Sequence, residues 1–322
     1  MKILKDKTEL GVLSGPTAVT VGKFDCIHRG HDRILSRLSG KKAEGLSSLV
    51  FTFSKSPRLL LSGGEDDFHG RNLITNAERA ELLSKKGIDY LYERPFDEDF
   101  MHISAEDFVK ILVELFHMKY ICVTEDFRFG YGNAGDCRLL ESLSEKYGYE
   151  VEIVPLLTLD EGTTISSSLI RSELKAGHIE DVNRMLGYEY FIHGRIVHGE
   201  GLGKRRLSYA TINMLPPDAK LLPKIGVYVT RIQMNGREFF GMTDIGVKPT
   251  VERKDKRLGV ETHIFDFDGD VYYVDARVSF LSFMRDEKKF SDFASLQEQL
   301  DQDDRNARAY IAAYHFNPAE DF

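Results

Sequence analysis

"VTVGKFDCIHRGH", Val19–His31, is the stretch from which the fold is read. A short β-branched run stops at Gly22, a turn follows, and a helix is expected to begin near His31. The same alternation recurs downstream. Apolar runs end or lie at "SLVFTF" (to Phe53), "DYLYE" (from Asp89), "YICVT" (from Tyr120) and "VEIVP" (from Val151). Between them fall helical spacings: Ile34, Leu35 and Leu38; Ala77 to Lys86; Phe108, Ile111, Leu112 and Leu115; Leu139, Leu140 and Leu143. Continuous apolar strands separated by amphipathic helices predict a parallel sheet covered on both faces.

The pattern changes after "MLGYEY", Met185–Tyr190. "GVYVTRIQMNGREFFGM" places two strand-like runs around Asn235-Gly236, and "ETHIFDFDGDVYYVDARVSF" places two more around Asp268-Gly269. Both dipeptides favour tight hairpins, so these strands are expected to be antiparallel. The last amphipathic segment puts Phe293, Leu296 and Leu300 on one helical face, which should close the domain. The expected fold is therefore α/β plus β: a parallel α/β domain over residues 1–185, then a small antiparallel barrel with a C-terminal helix over 186–322.

At 322 residues and 42% hydrophobic composition, the chain can bury cores for two domains. Its net charge of −8 argues against nucleic acid as a partner and favours a small substrate bound in a local pocket. The N-terminal "MKILKDKTEL" has no apolar core, and no later run reaches membrane-spanning length. Three cysteines, Cys26, Cys122 and Cys137, have no CxxC spacing, so a reducing, cytoplasmic setting is expected and Cys122 is read as strand core. Composition leaves the oligomeric state open.

His28-x-Gly30-His31 lies where a helix start can bind phosphate through its free N–H groups. Two imidazoles three residues apart can face one phosphate chain and stabilise charge at the α-phosphate and the leaving pyrophosphate, with Gly30 giving room for a base or sugar. Two surface histidines beside a glycine turn are the plainer alternative, and Cys26, His28 and His31 are also possible zinc donors. "GYGNAG", Gly130–Gly135, satisfies GxGxxG, but "EDFRF" separates it from its strand, whereas the dinucleotide fingerprint needs the glycines at once. "ISSSLIR" offers hydroxyls ahead of a helix expected from Ser168, either as caps or as phosphate ligands with Arg171 as counter-charge. "GLGKR" lacks Walker A spacing and has Arg205 where Ser or Thr is required; it can form an anion-binding flap or a solvated basic loop.

"GKFDCIHRGH" resembles the GxFDGxHxGH signature of the FMN adenylyltransferase half of bacterial bifunctional riboflavin kinase/FAD synthetases. The resemblance continues through "IDYLYERPFDEDFMHISAEDFV", "EDFRFGYGNAGDCRLL" and "ISSSLIRSELKAGHIEDVNRMLG". It implies His28 and His31 in catalysis, ATP contacts from Gly22, Phe24, Asp25, Gly30, Ser166, Ser167 and Arg171, and flavin contacts from Asp126, Phe127 and Phe129, with Gly130 in the same loop. "GRIVHGEGLGKRRLSYATIN" and "GVYVTRI", "IGVKPTV", "VETHIFDFDGDVY" and "FMRDEKKF" resemble the riboflavin kinase half. There the resemblance implies Glu261 as catalytic base, Thr211 and Asn213 as ligands of Mg-ATP, and ATP contacts from Gly199, Gly203 and Lys204. Arg285 and Glu287 are expected to order the flavin side or to pair with each other.

Several positions depart from the family pattern. Cys26 replaces a glycine, "SKSP" (Ser54–Pro57) replaces Pro-His-Pro so that Ser56 stands for histidine, Thr124 replaces glycine, and Ser168 replaces threonine. Ser208, Ala210 and Ile212 replace Gly, Pro and Ala in the segment that otherwise ends GFPTAN. A Cβ at Cys26 is expected to cost about 1 kcal/mol if the turn requires positive φ. The groups that carry charge or protons are all present, so the expected activity is phosphorylation of riboflavin by Mg-ATP followed by adenylylation of FMN to FAD. Riboflavin, FMN and ATP are then substrates or products rather than permanent cofactors. A paralogue with one working half, a non-catalytic flavin or nucleotide sensor, and a cytidylyltransferase-like enzyme are the competing readings.

Overall fold

A computed structural model of the chain describes residues 1–54, 71–159, 162–197, 211–248, 257–267, 271 and 273–315. Its contacts divide into two units, Met1–Ser167 and Ser168–Phe322.

In the first unit, β1 (Lys2–Leu4), β2 (Thr17–Val21), β3 (Ser47–Phe53), β4 (Tyr90–Arg94), β5 (Met118–Thr124) and β6 (Glu150–Val154) form one sheet in the order β1-β4-β3-β2-β5-β6. Every pairing is parallel. Helices α1 (Arg29–Gly40), α2 (Asn76–Lys85), α3 (Glu98–Met101), α4 (Ala105–Phe116) and α5 (Cys137–Tyr147) link the strands. Val19, Leu49, Ile121 and Cys122 are fully buried because helices cover both faces of the sheet. The start of α2 is set by a reciprocal capping box between Thr75 and Glu78, and Ser104 caps α4. Edge strand β1 lies in the stretch whose charges masked it; Leu4 alone supplies its buried position. The strand order reverses between β2 and β5, the place where loops diverge and ligands collect in such sheets.

The second unit holds α6 (Ser167–Ala176, starting on the last residue of the first unit), α7 (Ile179–Leu186), β7 (Phe191–Val197), β8 (Thr211–Leu215), β9 (Gly226–Met234), β10 (Arg237–Lys248), β11 (Arg257–Ile264), β12 (Asp275–Arg285) and α8 (Phe293–Ala313). The six strands close into an antiparallel barrel in the order β10-β11-β8-β7-β12-β9. Asn235 (φ 50°) and Gly236 (φ 71°) make the expected β9–β10 hairpin, since both residues take the left-handed conformation a type I′ turn needs. Asp268-Gly269 lies outside the described residues. Thr230, Thr243 and Thr262 form a buried hydroxyl ladder across β9, β10 and β11, each O···O distance 2.8 Å. Helix α7 joins the barrel through Asn183, which donates to Phe280 O (2.8 Å) and accepts from the Tyr190 N–H (2.6 Å).

Helix α8 closes the barrel by a different face from the expected one. Phe293 is exposed, Leu296 and Leu300 are half-buried, and the buried positions are Asp303 and Ala307, with Tyr310, Ile311 and Tyr314 packed beside them. That face carries the apolar Ala307, Tyr310, Ile311 and Tyr314 and a buried ion pair, in which Asp303 accepts from Arg285 Nε and Nη2 at 2.9 and 2.6 Å.

Candidate active sites

The first site is built on the turn after β2. Phe24 takes φ 45° and is buried, with its ring 4.7 Å from that of His31. Cys26 is fully buried and is not among the residues of positive φ, so the strain expected at Cys26 falls on Phe24. His28 caps α1, and its Nδ1 accepts the His31 backbone N–H at 3.3 Å. The two rings stack at 3.8 Å. Gly30 makes this possible: a Cβ there would stand 3.0 Å from the His28 ring, so the missing side chain serves the histidine itself.

Burial holds His28 down to about 2 from 6.5, with His31 adding to the shift and Asp25 opposing it. Burial likewise brings His31 down to about 4, opposed by a hydrogen bond with the Cys26 backbone. Both rings are therefore neutral near pH 7. Because His28 Nδ1 is an acceptor, its ring proton sits on Nε2, the nitrogen that can donate to an incoming phosphate. Ser167 Oγ donates to Asp25 Oδ1 at 2.6 Å and lies 3.3 Å from Cys26 Sγ, joining "GKFDC" to "ISSS". Ser166 is half-buried beside it, and Arg171 lies one turn into α6. Cys26, His28 and His31 do not converge as metal donors. Among the described residues the group of this kind is Glu173, His178 and Asp181, within 4.8 Å of one another on the α6–α7 corner.

The loop after β5 carries the flavin expectations. Asp126 is exposed and accepts from Thr124 Oγ1 at 2.6 Å, so the threonine that stands for glycine ties the aspartate to its strand end. Phe127 is half-buried and stacks on Phe129 at 5.3 Å, whereas Phe129 is core, packed against Phe108. The glycines of "GYGNAG" serve packing: a Cβ at Gly130 would meet the Ala105 backbone at 2.6 Å, and one at Gly135 the Phe129 ring at 2.7 Å. Ser56 lies outside the described residues.

On the barrel, Glu261 of β11 is in register with Asn213 of β8 and Asp244 of β10, so the three side chains share a face. Thr211 Oγ1 donates to Glu261 Oε1 at 2.5 Å. Glu287 lies beside Asp244, away from this pairing: its Oε1 and Asp244 Oδ2 would stand 2.1 and 3.3 Å from a Cβ at Gly246. The Thr211 hydroxyl, Asn213 amide and Glu261 carboxylate oxygens are hard donors of the kind Mg²⁺ takes, so these three fit the metal that accompanies ATP. Arg285 pairs with Asp303 rather than with Glu287. Gly199, Gly203, Lys204, Ser208 and Ala210 lie outside the described residues; Ile212 is buried. Asp244 escaped sequence reasoning because a lone acid in a strand has no local signal until register sets it opposite Glu261.

Residues 13–169 match the family model for FAD synthetase and residues 186–311 that for riboflavin kinase. Curated relatives named bifunctional riboflavin kinase/FMN adenylyltransferase include that of Listeria monocytogenes, 31% identical over 91% of this chain and 92% of its own. That of Pseudomonas fluorescens is 32% identical over 91% and 92%. That of Escherichia coli K12 is 31% identical over the same shares of the two chains. A crystal structure described as a macrolide-efflux protein from Streptococcus pneumoniae superposes with a TM-score of 0.86 at 27% identity, covering 95% of this chain and 98% of that one. The chain thus combines a nucleotidyl-transferase-like α/β unit with a kinase barrel, and it belongs to the bifunctional riboflavin kinase/FMN adenylyltransferase family. Among the described residues, no helix is long and apolar enough to cross a membrane.

Proposed function

We propose that the protein makes FAD in two ATP-dependent steps, with residues 1–185 as the adenylyltransferase part and 186–322 as the riboflavin kinase part. The observation that carries the reading is the pairing of Glu261 with Thr211, in register with Asn213, in the same chain as the stacked His28–His31 pair at a helix start.

In the kinase step, Glu261 accepts the proton of the ribityl 5′-hydroxyl as that oxygen attacks the γ-phosphorus of Mg-ATP, and ADP leaves. Thr211 orients the carboxylate, and Thr211 and Asn213 are the assigned metal contacts, with Gly199, Gly203 and Lys204 assigned to ATP. In the second step a phosphate oxygen of FMN attacks the α-phosphorus of another ATP, and pyrophosphate leaves. His28 and His31, neutral beforehand, act as N–H donors to charge developing there rather than as preformed cations. Gly22, Phe24, Asp25, Gly30, Ser166, Ser167 and Arg171 are assigned to ATP; Asp126, Phe127, Phe129, Arg285 and Glu287 to the flavins. Phe129 and Arg285 fill these roles from behind, through the core and through Asp303. No covalent enzyme intermediate is needed, so positioning and charge stabilisation carry both steps. A cytoplasmic setting suits three free, buried thiols.

Incubation of the pure protein with riboflavin, ATP and Mg²⁺, followed by chromatography, tests the proposal. FMN and FAD should both form, and FMN supplied directly should give FAD. FMN without FAD from either start removes the second step, no FMN removes the first, and tight flavin binding without turnover makes the protein a sensor.

A further inference from the structure

The turn that carries Phe24 is held from behind by residues no sequence pattern singled out. A bulky residue at φ 45° is strained, and such strain persists only where the surroundings over-determine it. Here the determinants converge on one carbonyl. Lys23 O, immediately before Phe24, accepts from Thr52 Oγ1 at 2.9 Å and from Arg79 Nη1 at 3.3 Å. On either side, the Gly22 N–H donates to Phe51 O at 3.1 Å and the Ile74 N–H donates to Asp25 O at 3.2 Å.

Arg79 reaches this position as a buried hub. It is 4% exposed on α2, and its Nη2 donates to Glu93 Oε1 of β4 at 2.6 Å, to Phe53 O of β3 at 3.2 Å and to Asn76 Oδ1 at 2.9 Å. Glu93 is itself 6% exposed, and Thr52 is fully buried. One guanidinium therefore ties together the carboxyl ends of β2, β3 and β4 at the edge of the sheet where the His28–His31 pair stands. Beyond its ion pair with Glu93, the guanidinium also reaches the Lys23 carbonyl, the one that precedes Phe24.

We propose that Arg79 and Thr52 are positioning residues for adenylyl transfer. By holding the Lys23 carbonyl they keep Phe24 in its left-handed turn, and Phe24 braces the His31 ring that stacks on His28. The assignment rests on the adenylyltransferase reading of this site, and riboflavin phosphorylation by the same chain supplies the internal control.

The experiment compares Thr52→Ser, which keeps the hydroxyl, with Thr52→Val, which keeps the shape and loses the donor. Steady-state conversion of FMN and ATP to FAD is measured beside conversion of riboflavin to FMN. Thr52→Val is expected to raise the ATP KM of FAD formation and lower its kcat, together about tenfold in kcat/KM. Thr52→Ser should remain near wild type, and riboflavin phosphorylation should be unchanged in both. Loss of folded protein would lower kcat alone and leave KM where it was. Since Arg79→Met by itself strands Glu93, the double variant Arg79→Met/Glu93→Leu removes both charges, and it should lose at least as much in kcat/KM as Thr52→Val. An ATP KM unshifted in Thr52→Val and in the double variant overturns the positioning role while the adenylyltransferase reading stands. Wild-type protein that makes no FAD from FMN overturns that reading and this assignment with it.

Discussion

Replacing Gly130 by alanine tests whether the loop after β5 is built by backbone contact. Gly130 has φ 75°, and a Cβ there would lie 2.6 Å from both Cα and N of Ala105, and 2.8 Å from its Cβ. Those atoms open α4, and the neighbouring Tyr131 N–H donates to Ile103 O at 2.7 Å, so no rotamer change relieves the overlap. Left-handed backbone costs a non-glycine residue about 1 kcal/mol, and forcing backbone apart adds about 2 kcal/mol, roughly 3 kcal/mol in all. Gly132 is the matched control: its φ is 63°, yet nothing lies within 4 Å of its Cβ position, so Gly132→Ala pays only the backbone term. At roughly 2–4 °C per kcal/mol for a unit of this size, Gly130→Ala should lower the melting midpoint by about 6–12 °C and Gly132→Ala by about 2–4 °C. Scanning calorimetry without ligands measures the difference. Because the loop carries Asp126 and Phe127, FAD formation from FMN should also fall in Gly130→Ala, with riboflavin phosphorylation retained. Midpoints for the two variants within ~1 °C of each other would refute the contact argument.

Glu261→Gln should reduce riboflavin phosphorylation by about 10²–10⁴-fold and leave FAD formation from added FMN intact, measured by the same chromatography. The histidine pair predicts an acid-side weakness. Both folded values, about 2 and about 4, lie below the ordinary 6.5, so the unfolded chain binds the extra protons once pH drops below that value. Near pH 5 each histidine then costs about 2 kcal/mol that is absent above pH 7.5, and a His28→Asn/His31→Asn variant should lose less stability than wild type over that interval in urea melts. Cys26→Gly should not raise FAD synthesis, since the strained residue is Phe24; loss of the buried sulfur, 3.3 Å from Ser167 Oγ, should instead cost about 1–2 kcal/mol in the same melts.

What is local in this protein was legible in its sequence. The runs from Val19, to Phe53, from Asp89, from Tyr120 and from Val151 became β2 to β6, because a strand buried on both faces needs an unbroken apolar stretch. Asn235-Gly236 marked its hairpin, since only a few residues accept left-handed φ twice in succession. His28, His31, Thr211, Asn213 and Glu261 could likewise be named from spacing and family resemblance. Their states and partners could not. That His28 and His31 are neutral follows from burial, which depends on what packs over them. That Asp244 stands beside Glu261 follows from strand register, and that Arg285 belongs to Asp303 follows from where α8 docks. The clasp of Thr52 and Arg79 on Lys23 joins residues 29 and 56 positions from the one they hold. Periodicity encodes which face of an element is apolar, but a hydrogen bond between distant elements exists only once the sheet order and its helices have brought their ends together.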